Sequence, residues 1–421
     1  MPRRYFGTDG VRGVVGQSLT SDLVERLGRA AALWGQSSRV LVGRDTRASG
    51  PALEKAFVHG AQTASPKVVL GGVLPTPAVA LLGKGGLGAV ISASHNPAEY
   101  NGVKLFDRQG RKLSDSAEEE IEALLDAEGT GTGVVERDET AGERYLEYVL
   151  KHFGADLSGL RVALDCANGA YSDIAPGAFE RLGARVVTVG ASPDGTNINA
   201  GCGATDLSLL QRIVRAGDFD LGIAFDGDGD RMLALDAAGE IVDGDAILAI
   251  LVLHLGVDLV AVTVMTNLGF HALMRERGIR VLTTDVGDRY VLEALRREGG
   301  VLGGEQSGHI VYLRHHVTGD GLAAALLLCA ALRGRSLAEA ATAMTHYPQV
   351  KENVPVATTA LPTSVVQAAE RLNAELDGRG RVLVRPSGTE PVVRILAEAD
   401  ALAKAQEACD TIATLVRREL G

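Results

Sequence analysis

At 421 residues the chain is too long for one ordinary core, and about three domains are expected. Apolar residues make up 46%, charged residues 23% and aromatics only 4%, against 52 glycines, which favours soluble α/β layers with many tight loops. The low aromatic content argues against stacking platforms for single-stranded nucleic acid, and a net charge of −11 with no long basic run argues against nucleic-acid or anionic membrane partners.

Cys166, Cys202, Cys329 and Cys409 are far apart and form no CxxC pair. They read as reduced thiols of a cytosolic protein, neither a disulfide frame nor a zinc site. Residues 1–4 are basic, but no apolar run follows them, so they do not read as a signal peptide.

In chain order, one pattern recurs three times. A strand at Arg39–Gly43, a helix near Pro51–Ala64 and a strand at Lys67–Leu70 are followed by a short helix, Pro75–Leu82, and an all-apolar strand, Leu87–Ile91. The order returns as strand Val162–Asp165, helix Asp173–Leu182, strand Arg185–Val189, helix Leu207–Ala216 and strand Leu221–Phe225. It returns again as strand Leu259–Met265, helix Phe270–Arg277, strand Arg280–Thr284, helix Arg289–Glu298 and the apolar pair Val301-Leu302. The run 246–265 has membrane-spanning length, but His254, Gly256 and Asp258 interrupt it, so it reads as a buried helix, a turn and a strand. Linkers are expected near 128–140 and 347–363. The last segment offers strand Arg381–Arg385, a turn, strand Val392–Leu396 and an amphipathic helix, Ala401–Glu419.

Strands separated by helices imply parallel βαβ units with right-handed crossovers. The expected fold class is α/β: three tandem similar βαβ-rich domains and a smaller C-terminal α+β domain around a central cleft. The expected divisions are 1–142, 143–240, 241–348 and 349–421. Each repeat ends its third strand in a polar loop, and ligands gather at the carboxyl ends of strands in open α/β sheets. The three loops are Ser92-Ala93-Ser94-His95-Asn96-Pro97, Asp226-Gly227-Asp228-Gly229-Asp230-Arg231 and Gly303-Gly304-Glu305-Gln306-Ser307-Gly308-His309.

The aspartate loop is the sharpest chemical signal. Three carboxylates in five residues repel one another without a cation, and hard oxygen ligands suit Mg²⁺. An EF-hand does not fit, because the sixth position is Arg231 and the twelfth Ala237. An aspartate beside Mg²⁺ can itself accept phosphate, which would make Asp226 the nucleophile of a phosphatase and leave Ser94 without a task. The serine loop places a hydroxyl beside an imidazole at a strand end; taken alone, it also reads as an ordinary polar turn. Arg385, Ser387 and Thr389 offer a planar fork and two hydroxyls that suit a phosphate dianion, though Pro, Ser and Gly also make plain hairpin turns. Glu305, Ser307 and His309 offer donors and acceptors for sugar hydroxyls. Arg12, in the tight loop 6–13, faces an anion or solvent. The turn Gly43-Arg44-Asp45-Thr46-Arg47 reads as an internal salt bridge. The run 83–88 fits GxGxxG literally, but it lies between a helix and a strand, the reverse of the dinucleotide context.

Together these segments resemble the α-D-phosphohexomutase superfamily over essentially the whole chain. The matching motifs are FGTDGVRG at 6–13, SASHNP at 92–97, NGVKLF at 101–106, DGDGDR at 226–231, GGEQSGH at 303–309 and RPSGTEP at 385–391. Gly388 within RPSGTEP, the FGTDGVRG opening and the segment around Asn197-Ile198-Asn199 and Cys202-Gly203 resemble the glucosamine branch. The resemblance implies interconversion of glucosamine 6-phosphate and glucosamine 1-phosphate through a phosphoserine enzyme and a bisphosphate, which feeds UDP-N-acetylglucosamine and cell-wall precursors. It makes Ser94 the phosphate carrier, with Asp226, Asp228 and Asp230 holding Mg²⁺ together with the Ser94 phosphate. His95 and Lys104 would assist proton transfer and charge stabilisation, and Arg12 would bind the transferring phosphate. Arg231 would lie near the metal loop, and Glu305, Ser307 and His309 would grip the sugar. Arg385, Ser387, Gly388 and Thr389 would hold the phosphate that is not reacting. A phosphorylated amino sugar is the implied substrate and a homodimer the implied assembly. Asp206 and Asp285 depart from the usual pattern, outside the core motifs. A mannose or glucose phosphate mutase of the same fold and a Mg²⁺-dependent sugar phosphatase remain the alternatives.

Overall fold

The computed structural model describes residues 3–7, 9–64, 67–332, 334–387 and 391–421. The chain folds as two compact units. One runs to Met265 and resumes over Ile279–Ala343; the other comprises Thr266–Gly278 and Met344–Gly421.

The first unit holds three sheets with one shared plan. In the first, Lys67–Val73, Val40–Arg44 and Leu87–Ile91 run parallel in that order, and Tyr100–Phe106 returns antiparallel beside Leu87–Ile91. In the second, the same places are taken by Arg185–Val189, Arg161–Asp165, Leu221–Phe225 and the antiparallel Met232–Asp236. In the third they are taken by Arg280–Thr284, Leu259–Thr263, Leu302–Gly304 and the antiparallel Ile310–Tyr312. Each polar loop of the sequence is the turn between a third strand and its return strand. The parallel cores match the expected repeats. The return strands were not expected, because Gly102–Phe106 and most of Met232–Asp236 are buried on both faces and show no alternation of apolar and polar residues.

Two stretches expected as linkers contain strands. Val134–Arg137 adds a seventh strand to the first sheet, parallel to Lys67–Val73. All four of its residues are exposed, as suits an edge, and Lys67 pairs with Glu136 at 2.8 Å. Gln349–Pro355 pairs antiparallel with Val392–Ala399 in the second unit. Gly380–Pro386 completes that three-stranded sheet, and helices Thr363–Leu376 and Leu402–Leu420 pack on it, giving the expected α+β segment. Glu398 explains why Thr266–Gly278 groups with this unit. Its buried carboxylate accepts from the Leu268 amide at 2.7 Å and from Arg381 Nε at 2.8 Å. The apolar run 246–265 resolves as read: helix Gly244–Leu255, a left-handed Gly256 cap, and strand Leu259–Thr263. No helix among the described residues is long and apolar enough to cross a membrane.

A buried polar cluster joins the segment after the third sheet's return strand to the chain around the second sheet. Asp320, just before helix Gly321–Leu332, accepts from the Tyr145 hydroxyl at 2.8 Å, the Tyr171 hydroxyl at 2.9 Å and the Ala323 amide at 2.9 Å. His316 Nε2 lies 3.0 Å from the same carboxylate. Burial by itself would raise the Asp320 pKa; His316, the Ala323 amide and the Tyr145 hydroxyl outweigh it and hold the carboxyl below the usual range. A carboxyl depressed on folding stabilises the fold above its unfolded value of about 3.9, and that contribution is lost as pH falls through the folded value. Asp320→Asn is therefore expected to cost about 1–3 kcal/mol at pH 7 in urea unfolding, with the gap to wild type closing as pH drops below about 3.9. A gap independent of pH would remove the charge from this account.

Candidate active site

The strand Leu87–Ile91 is buried throughout and delivers the serine loop. Ser92 Oγ donates to Asp45 Oδ2 at 2.6 Å and accepts from the Ser94 amide at 2.9 Å, so it holds the loop's own backbone. Ser94 adopts φ +52°, a left-handed conformation that costs a non-glycine residue about 1–3 kcal/mol. Its hydroxyl donates to Asp226 Oδ2 at 2.6 Å and lies 3.4 Å from His95 Nδ1. The turn at 43–47 is the internal ion pair read from the sequence. Asp45 and Arg47 meet at 2.9 Å with both side chains fully buried.

Asp226, Asp228 and Asp230 are buried, and one oxygen of each lies within 4.8 Å of the others. Glycine is required between them. Gly227 packs so closely that a Cβ would sit 2.7 Å from the Ser94 carbonyl oxygen. Gly229 has φ +77°, and its Cβ would meet the Tyr171 ring at 2.4 Å. Asp226 accepts from the amides of Gly229 and Arg231. Its pKa stands well above the carboxylate range, first through burial and then through Asp230 and Asp228. Thr76 donates its hydroxyl to Asp228, and its amide donates to the Asp228 carbonyl at 2.8 Å.

Lys104, on the return strand of the first sheet, supplies the main counter-charge. Its Nζ lies 2.6 Å from Asp228, 3.1 Å from Asp230 and 2.8 Å from Asp9. Burial alone would lower the lysine pKa, yet Asp228, Asp230 and Asp9 raise it well above its ordinary value. One ammonium does not satisfy the triad. Asp228 Oδ1 and Asp230 Oδ1 are buried and have no hydrogen-bond partner among the described residues. Two orphaned carboxylate oxygens beside a third carboxylate are a donor set that fits a hard divalent cation.

The third loop joins through charge. His309 Nε2 lies 3.1 Å from Asp288, and its Nδ1 is 3.7 Å from Asp230. Burial would lower its pKa, but Asp288 and Asp230 raise it to about 10. Asp288 also pairs with Lys112 at 2.6 Å, and Lys112 with Asp9 at 2.7 Å. Glu305 accepts from the Gly287 amide at 3.1 Å, and burial raises its pKa. Ser307 is exposed. Arg12 pairs with Asp9 and donates to Asn96 Oδ1 at 3.2 Å. The buried Nε atoms of Arg12 and Arg231 have no hydrogen-bond partner among the described residues, and Arg231 Nε lies 3.9 Å from Asp230, so both guanidiniums keep donors for an anion. His95 feels burial first, then Arg231 and Arg12, and its pKa falls to about 4.

The structure thus gathers Ser94, His95, Arg12, Lys104, the three aspartates, Arg231, Glu305 and His309 within the first unit. Arg385 and Ser387 belong to the second. Arg385 pairs with Arg394 across the sheet, and the Ser387 amide donates to the Val392 carbonyl at 2.9 Å. Gly388 and Thr389 lie outside the described residues. Sequence reasoning missed Asp9, Thr76, Lys112 and Asp288. Asp9 lies within 6–13, where the sequence singles out only Arg12 as an anion ligand. Lys112 follows Arg111 and reads as half of a surface basic pair; nothing local marks it as buried.

A serine hydroxyl, a carboxylate triad with two oxygens lacking hydrogen-bond partners, and guanidinium donors nearby form a centre suited to phosphoryl transfer, which needs positioning and charge neutralisation more than covalent help. Comparison with known proteins agrees. Domains I, II and III of the phosphoglucomutase/phosphomannomutase family, each described as alpha/beta/alpha, match residues 3–131, 143–239 and 243–347, and the family's C-terminal domain matches 349–415. The chain belongs to this family and is a mutase of the isomerase class. It is 48% identical to the phosphoglucosamine mutase of Thermobifida fusca, over 99% of both chains. It is 47% identical to that of Pelotomaculum thermopropionicum, over 98% of both. Among solved structures, a phosphoglucomutase/phosphomannomutase family protein from Burkholderia thailandensis superposes with a TM-score of 0.83 at 25% identity, over 98% of both chains. N-acetylphosphoglucosamine mutase of Aspergillus fumigatus, crystallised with GlcNAc-6P and magnesium, shares the fold with a TM-score of 0.71 at 18% identity, over 99% of this chain and 96% of that one.

A cation that binds this triad and not the unfolded chain must stabilise the fold, by about 2.7 kcal/mol at a hundredfold excess over its dissociation constant. Millimolar Mg²⁺ or Mn²⁺ is expected to raise the thermal midpoint of the wild type and to leave that of Asp228→Asn nearly unmoved. Equal shifts in both would place the cation elsewhere.

Proposed function

We propose that the protein interconverts glucosamine 6-phosphate and glucosamine 1-phosphate, with Ser94 carrying the phosphoryl group and Mg²⁺ as cofactor. The observation that carries this reading is the Ser94 hydroxyl bonded at 2.6 Å to the first of three buried aspartates that still hold two orphaned oxygens. The full-length likeness to phosphoglucosamine mutases supports the choice of sugar.

In this reading Asp226, Asp228 and Asp230 would hold Mg²⁺ beside the phosphorylated Ser94. The ion supplies neutralisation of the phosphoryl oxygens as charge moves between donor and acceptor. The chain's own residues do the rest. A free sugar hydroxyl attacks the phosphorus, the bond to Ser94 Oγ breaks, and the hydroxyl proton passes by way of His95, whose Nδ1 is 3.4 Å from Ser94 Oγ, to that leaving oxygen. Lys104 and the guanidiniums of Arg12 and Arg231 steady the transferring group. Glu305, Ser307 and His309 grip the sugar, and Arg385, Ser387, Gly388 and Thr389 hold the phosphate that is not reacting. The bisphosphate then turns and returns its other phosphoryl group to Ser94, so that no phosphate is released and the serine ends as it began.

The test is a product assay with phosphate analysis. Purified protein is expected to carry phosphate on the Ser94 peptide and to form the 1-phosphate from glucosamine 6-phosphate faster than from the mannose or glucose analogues. Ser94→Ala should reduce turnover to background while keeping the wild-type fold. Net phosphate release without a 1-phosphate product would replace the mutase with a phosphatase.

A further inference from the structure

We propose that Arg47, assisted by Asn199, is the positioning residue that locks Ser94 in its left-handed backbone conformation and so aims its hydroxyl at the aspartate loop. The inference rests on the reading of Ser94 as the phosphoryl carrier. Neither residue touches the Ser94 hydroxyl; both act through its carbonyl.

Arg47 is fully buried, and all five of its guanidinium N–H donors are used. Nε donates to Asp45 Oδ2 at 2.9 Å. One terminal nitrogen donates to the carbonyls of Ser94 at 2.9 Å and Asn96 at 2.7 Å. The other donates to the carbonyls of Pro97 and of Tyr100, the latter at 2.9 Å. The fork thus reads four carbonyls of one loop. Asp45, which orients the fork, also accepts from Ser92 Oγ, so the pair grips the loop at both ends. Asn199 arrives from the second sheet's segment and donates to the carbonyls of Ser94 at 2.9 Å and Asn96 at 3.2 Å.

A non-glycine residue persists at φ +52° only where its surroundings over-determine it. Here the Ser94 carbonyl is the over-determined atom, held by two side-chain donors from segments far apart in sequence. Release of that carbonyl would let the backbone relax to an ordinary conformation and swing Oγ away from Asp226. A planar fork is required. A lysine keeps the charge but cannot serve four carbonyls and a carboxylate at fixed angles.

Arg47→Lys and Asn199→Ala in the full-length protein test this. Arg47→Lys is expected to lower kcat by about 100-fold, the scale of a reacting group displaced by about an ångström, with KM near the wild-type value. Asn199→Ala should lower kcat by less, again with KM retained. Hydrogen–deuterium exchange should rise over residues 92–100 and stay at wild-type rates in the sheets. If Arg47→Lys fails to fold, Asn199→Ala decides, because that side chain is only partly buried. Wild-type kcat in a folded variant, a loss expressed in KM, or unchanged exchange over 92–100 would each overturn the proposal. If the wild type itself forms no sugar 1-phosphate, the functional reading fails, and the exchange comparison alone judges the clamp.

Discussion

The structure turns on three carboxylates buried where they repel one another. Asp226, Asp228 and Asp230 leave water together, and burial penalises each negative charge before their mutual repulsion is counted. The surrounding chain answers with charge. Lys104 enters from the first sheet and His309 from the third, and Lys112 and Asp288 steady His309 from behind. These compensating groups come from segments more than a hundred residues apart, so the local electrostatics of one loop fix how three sheets must meet. The balance stays incomplete at two carboxylate oxygens, and the guanidiniums of Arg12 and Arg231 keep donors to spare. The site thus keeps both acceptors and donors without hydrogen-bond partners among the described residues.

That convergence needs three loops at equivalent places, and the repeated strand order provides them. Each sheet places its third parallel strand beside an antiparallel return, so a short turn is forced at the carboxyl end of the third strand. Each turn is then free to carry different chemistry: a hydroxyl, a carboxylate triad, or a carboxylate and an imidazole. Lys104 shows that the return strands are not passive. It sits on Tyr100–Phe106, four residues into the strand, and reaches the carboxylates of a neighbouring sheet.

Much of this was legible because the parallel strands are short apolar runs ending abruptly in Gly, Asp or Ser. Leu87–Ile91, Arg185–Val189, Leu221–Phe225 and Arg280–Thr284 have the bounds their sequences suggest. Val134–Arg137 was not legible, since an edge strand with every residue exposed has neither an apolar run nor alternation. The main site residues announced themselves by clustering. Asp9, Thr76, Lys112 and Asp288 did not, because each works through a partner distant in sequence, and a single charged residue looks the same buried or exposed. Arg47 was readable as half of a local ion pair with Asp45. Its four carbonyl contacts follow from where the serine loop folds back, which no spacing encodes.

The contrast between Ser92 and Ser94 shows what the backbone adds to the electrostatics. Both serines are buried, both follow the same strand, and both hydroxyls donate to a carboxylate at 2.6 Å. Burial and proximity to charge therefore do not distinguish them. The Ser92 hydroxyl bonds Asp45, which is itself neutralised by Arg47, and also receives the Ser94 amide; a phosphoryl group there would break the loop's own scaffold. The Ser94 hydroxyl accepts from no backbone amide among the described residues and faces a carboxylate cluster with two oxygens left unbonded there. The left-handed turn at Ser94 makes that difference, because without it two serines of alternate register would leave the strand on the same side. Backbone strain held by a buried arginine, more than any histidine base, decides which hydroxyl is exposed to the chemistry.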